Sequence, residues 1–215
     1  MNYLISSIFV LLLCLSCKEF AVKHTDDIVQ QKSNVFDYQQ IKKNIKNLGA
    51  KEKSEVSKVL FVYAKDSIFH AWMGTPWDFN GISEVPQEGQ IACGYFVTTI
   101  IRDLGFKIER VKLAQQVSSA IINMYCIGIR HFVDMEKMIA ECSKQSNSVF
   151  IVGLDFHTGF LLNDHGKLYF IHASYGNPQC VVKEIAAESA VLASSKTFMT
   201  GDFLNETIVS QYWNK

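Results

Sequence analysis

Proline is scarce, 3 residues in 215, and glycine is modest at 12, so neither a proline-rich linker nor a collagen-like or broadly disordered composition fits the chain. An excess of charge of either sign is missing as well. Lys+Arg and Asp+Glu number 21 each, the formal net charge is zero and the pI is near 7. A neutral chain whose sequence holds no dense Lys/Arg cluster exerts no general pull on phosphate backbones, which argues against a nucleic-acid partner. Six cysteines stand at positions 14, 17, 93, 126, 142 and 180, without the paired spacings of a disulfide framework. No repeat period shows. What is there is 48% hydrophobic and 12% aromatic, enough for one well-buried domain.

Long apolar runs are also few, and the main one comes first. Residues 1–16 carry no charge, and Ile8 to Leu13 are unbroken apolar residues followed at once by a polar stretch. A run this short falls below what a ~30 Å hydrocarbon core requires, so the segment reads as a secretion signal rather than a membrane span. It ends in Leu15-Ser16-Cys17, which resembles the lipobox of bacterial lipoproteins. That resemblance implies acylation of Cys17 and attachment to a bacterial membrane in the cell envelope. Residues 17–50, rich in Lys, Asp, Gln and Asn, then read as a lipid-anchored polar tether, and 51–215 as the functional domain.

Within the domain, Val56, Val59, Leu60, Tyr63 and Ala64 recur at helical spacing from Glu52 to Phe69. A loop is expected over Gly74–Gly89, then a helix that opens at Cys93 and is ended by Gly105. Helical patterns follow at Leu113–Met124 and Val133–Cys142, the second with Asp134 placed to cap it. After Ser148 the chain turns to short β-rich runs, VFIVGL, HTGFLL, KLYFIHAS and CVVKEI, with NDHG between the second and third. Helices followed by a meander of strands predict an α+β class with an antiparallel sheet.

A cysteine at a helix start is a candidate nucleophile. The free N–H groups and partial positive charge there are expected to lower its pKa, and its own N–H can serve as an oxyanion donor. Cys93 occupies that place; a buried Cys that packs the helix start is the plain alternative. A hairpin centred between Asp164 and His165 would set His157 opposite His172, and strand alternation puts His172 on one face with Leu168, Phe170 and Ser174. Taken singly, either histidine could be a satisfied core residue. The same three residues could instead hold Zn²⁺ with an open position, although they lack the close spacings of familiar sites.

These blocks resemble a family. GTPWDFNG at 74–81, CGYFVTTIIRDLG from Cys93, and HTGFLL followed by FIHAS occur in the order found in NlpC-type cell-wall endopeptidases, which are papain-like cysteine peptidases. The likeness covers about residues 55–185. It implies a papain-like fold with helices packed on an antiparallel sheet and the nucleophile at a helix N-terminus. It further implies Cys93 as nucleophile, His157 as general base and His172 as the polar third member, with no metal or organic cofactor. The implied substrate is an amide bond of a peptidoglycan peptide. Ala92 and Gly94 stand where the family has Asp and Ser, polar groups that help hold the amino end of a stem peptide, so substrate recognition stays open. Trp77 replaces a Tyr near the active site, as a wall of the cleft or a core anchor. Gln87, six residues before Cys93, has the spacing of the oxyanion Gln of papain, with Gln90 about as close. An amidase or acyltransferase on another small amide or ester, and an inactive envelope module that binds glycan-peptide, are the competing functions.

Overall fold

The computed structural model describes residues 37–49 and 52–213. The expected signal segment, Cys17 and most of the expected tether lie outside them. Among the described residues, no helix is long and apolar enough to cross a membrane.

The first element, α1, is helical over the described residues 37–46 and corrects the tether's boundary. Tyr38, Ile41, Ile45 and Leu48 recur at steps of three and four, an amphipathic stripe diluted by Lys, Gln and Asn. Tyr38 and Ile45 are buried in the main core. The Tyr38 hydroxyl donates to Asp103 Oδ2 at 2.8 Å and accepts from Trp72 Nε1 at 2.8 Å. The compact unit therefore begins at Tyr38 rather than at residue 51.

Helix α2 (Lys53–Tyr63) continues through a π-helical turn (Ala64–Ile68) into α3 (Phe69–Trp72), as the periodicity from Glu52 predicts. After the expected loop come α4 (Cys93–Asp103), α5 (Arg110–Ala114) and α6 (Ser118–Tyr125). The single helix expected at Leu113–Met124 is thus interrupted. On either side of the break, the Ala114 carbonyl lies against Gly94 and Ser118 lies against Gly153. Strand β1 (Ile127–Phe132) precedes α7 (Met135–Ser143), whose first turn is capped as expected by Asp134 accepting from Lys137 N. Then follow β2 (Ser148–Gly153), β3 (Thr158–Asp164), β4 (Lys167–Ala173), β5 (Val181–Ile185), α8 (Ala190–Ala193), β6 (Phe198–Asp202) and α9 (Glu206–Tyr212).

The six strands form one antiparallel sheet in the order β1-β6-β2-β3-β4-β5, so the chain has the α+β class its element order predicts. Its two faces follow strand alternation. Val149, Ile151, Phe160, Leu162 and Ile171 join the main core with α2, α4 and α6. Phe150, Val152, Leu161, Leu168 and Phe170 build a second cluster with residues of α7 and α8. Burial on both faces explains why β2 reads as an unbroken apolar run.

The β3–β4 register differs from the expected one. Asp164 pairs with Lys167 and Asn163 with Leu168, so His165 and Gly166 form the turn, both with positive φ (51° and 88°). A two-residue turn with both central φ positive matches the right-handed twist of the strands, and glycine at the second position favours it. Asp164 belongs to the ladder, not to the turn. Every pairing moves by two residues, which preserves the face, and His172 aligns with Gly159 rather than with His157.

Candidate active site

Helix α4 buries Phe96, Val97, Ile100 and Ile101 against the sheet, and this packing fixes where its first residue stands. Its lead-in is held by Ile91 N donating to Pro76 O (2.9 Å) and Ala92 N donating to Gly81 O (2.8 Å). Arg110 clamps the loop before it, donating to the carbonyls of Ile82 (2.9 Å) and Ser83 (2.7 Å) and to Thr99 Oγ1 (2.7 Å). Ala92 at the N-cap has no side-chain acceptor, so the first N–H groups of α4 stay available. Cys93 is the first residue of that helix, half-buried, and opens into a cavity of about 1050 Å³.

His157 opens into the same cavity from the loop between β2 and β3. The backbone groups of Thr158, the next residue, and of Gly94 and Cys93 itself favour the Cys93 thiolate. Burial nevertheless outweighs these three groups and pushes the thiol above its ordinary value. This corrects the expectation of a lowered pKa: the helix start favours the thiolate, but removal of water costs more. The resting sulfur is a neutral thiol.

The histidines meet although they are not directly opposed. His157 Nε2 lies 2.8 Å from His172 Nδ1, and His172 Nε2 lies 3.2 Å from Glu184 Oε1. Both links are diagonal cross-strand contacts, because His172 aligns with Gly159 on one side and pairs with Val182 on the other. Gly159 makes the first diagonal possible, since a Cβ there would stand 2.8 Å from the His172 Cβ and 2.7 Å from Phe170 Cε2. Phe170 stacks on His172 with centroids 4.0 Å apart and planes at 15°, and Tyr175 presents its ring to His157 at 5.2 Å and 82°.

Burial lowers His172 to about 3, and burial together with His172 lowers His157 to about 3. Both imidazoles are neutral at physiological pH, so the Glu184 contact is a hydrogen bond and not an ion pair. Neutrality fixes the tautomers. A carboxylate only accepts, so His172 Nε2 carries the proton and its Nδ1 accepts. His157 Nε2 must then donate, which leaves the lone pair on His157 Nδ1. The chain Glu184–His172–His157 thus delivers an unprotonated ring nitrogen at the end opposite Glu184.

Cys93, Gly94 and His157 line one cavity, and His172 lies behind His157, outside the lining. Gly94 packs so closely on the Ala114 carbonyl that no side chain fits, a steric reason for glycine at that position. Trp77 packs against the main core and the edge of Tyr175 (6.3 Å), one ring away from His157. Gln87 lies apart: its amide donates to Ala71 O at 3.2 Å, and its own N donates to Thr75 Oγ1. Sequence reasoning missed Glu184. The alternation of CVVKEI places it on the face of Val182, but its meeting with His172 needs the register. Among the described residues, no group of three His, Cys, Asp or Glu side chains is arranged to hold a metal ion. Comparisons with protein-family models, curated proteins and solved structures give no match.

Proposed function

We propose that this protein is a papain-like cysteine hydrolase of NlpC-type fold that cleaves an amide bond in peptidoglycan peptides, working in the cell envelope from a lipid anchor at Cys17. The observation that carries the reading is the convergence on one cavity of a thiol at an uncapped helix start and an imidazole with a dictated free lone pair. Cys93 Sγ attacks the substrate carbonyl as its proton passes to His157 Nδ1. The N–H groups at the start of α4 receive the developing oxyanion. The C–N bond then breaks, His157 returns the proton to the departing amine, and a thioester is left on Cys93. Water, deprotonated by His157, hydrolyses the thioester and restores the thiol, and no metal or organic cofactor enters.

A second reading, an amidase or acyltransferase on another small amide or ester, is favoured by the residues beside the nucleophile: Ala92 and Gly94 offer no carboxylate or hydroxyl to hold the amino end of a stem peptide. The test is mass spectrometry of soluble products after incubating the protein, and Cys93→Ala, with purified sacculi and defined muropeptides. Release of a peptide fragment by the wild type alone supports cell-wall hydrolysis. No release from any wall type by either protein would overturn it in favour of the second reading.

A further inference from the structure

The mouth of the Cys93 cavity carries an unusual share of exposed apolar surface. Phe156, Val133 and Val117 are 98%, 84% and 73% exposed, three of the four most exposed large hydrophobic side chains among the described residues, and all three line it. Mobility does not account for Phe156. Its loop is fastened by Leu154 N donating to His157 O (2.8 Å), Asp155 N donating to Ser195 Oγ (3.1 Å) and Lys196 N donating to Asp155 Oδ2 (2.7 Å). A pinned loop that holds an aromatic ring in water, one residue before the imidazole, leaves apolar surface that only a ligand or partner can cover.

Charge of both signs stands in the lining, which leaves the apolar rim as its distinguishing feature. Asp155 is the carboxylate of the lining among the described residues, and its oxygens already accept from Lys196 N and Thr197 Oγ1. Ala92 supplies none beside the nucleophile. Neutral donors leave the charge of Asp155 in place and Lys196 sets a cation in the same lining, so charge selects neither an anionic nor a cationic ligand.

We propose that the cavity takes an acyl donor whose acyl part is apolar, with its carbonyl at Cys93 and its aliphatic or aromatic portion against Phe156, Val133 and Val117. This rests on the hydrolase reading and names the acyl side of its substrate. The test labels the full chain with iodoacetamide, N-hexyliodoacetamide and N-(2-aminoethyl)iodoacetamide, following Cys93 and Cys180 separately by peptide mass spectrometry. The sulfur displaces iodide, the C–S bond forming as C–I breaks and the thiol proton passing to His157. At Cys93 the hexyl reagent reacts at least tenfold faster than iodoacetamide, and faster than the aminoethyl reagent. The hexyl-to-iodoacetamide ratio falls severalfold in Phe156→Ser and in Val133→Ser, two changes at exposed positions outside the core, while the ratio at Cys180 stays flat. Equal rates for the three reagents at Cys93 overturn the apolar site and leave the hydrolase reading standing. No labelling of Cys93 by any reagent overturns both. A flat series combined with sedimentation on phosphatidylcholine vesicles that Phe156→Ser abolishes assigns the rim to a bilayer and overturns the proposal.

Discussion

At the scale of single residues, the proton inventory decides what the site can do. Glu184 does not touch the cavity, yet its carboxylate sets both tautomers behind His157. Glu184→Leu removes the acceptor and is expected to lower kcat by roughly tenfold or more with KM little changed, since only the transition-state role of His157 suffers. Glu184→Gln retains an acceptor oxygen and should recover most of that loss. Nitrogen-15 NMR of His157 reads the same event directly: the proton sits on Nε2 in the wild type and redistributes in the Leu variant. A wild-type spectrum with the proton on Nδ1 would contradict the assignment. Gly94→Ala should destabilise the fold by about 1–3 kcal/mol in urea titration, because the new methyl is driven into the Ala114 carbonyl. Cys93, His157 and His172 are legible from sequence because each is a chemically distinctive residue at an element boundary or within an apolar row. Glu184 is not, because an acidic residue on a short strand is ordinary until its neighbour across the ladder is known.

At the scale of elements, the hairpin shows what a one-residue error in a turn does. Centring the turn on Asp164-His165 gives the right face and the wrong partner; the His165-Gly166 turn moves each pairing by two, and the site survives because two is the period of a strand. Asn tolerates the left-handed region better than His does, so His165→Asn is expected to raise stability by about 0.5 kcal/mol without changing activity, measured by urea titration and turnover together. A stability loss would contradict the positive φ at that position. Gly159→Ala should do the reverse, displacing His172 and Phe170 and costing activity beyond any loss of stability. Strands β1 and β6 escape the sequence for a different reason. IGIRHF is mostly exposed and broken by a bulge near Gly128, and FMTGD carries Gly and Asp, so neither shows a clean apolar alternation. Helix α1 escapes because Tyr38, Ile41 and Ile45, with Leu48 in the turn after it, are scattered among polar residues, although their spacing is regular.

At the scale of the whole molecule, the buried neutral histidines couple stability to acid. Unfolded, both would titrate near 6.5; folded, both resist protonation to about 3. Between those values the unfolded chain binds more protons, so stability falls as pH falls from about 6.5 toward about 3, by up to about 1.4 kcal/mol per pH unit for each histidine. Urea titrations across that window should show the slope, and His172→Asn should flatten it by about one proton. A flat wild-type profile would mean that the imidazoles are not buried as described. In the proposed reaction Cys93 is the nucleophile and His157 its base, and the site and rate of acylation by p-nitrophenyl hexanoate test both roles at once. Mass spectrometry of the trapped protein should find one hydroxylamine-labile hexanoyl group, on Cys93, absent from Cys93→Ala and formed at least tenfold more slowly in His157→Asn. An adduct missing from Cys93, or formed there as fast without the imidazole as with it, would contradict the account.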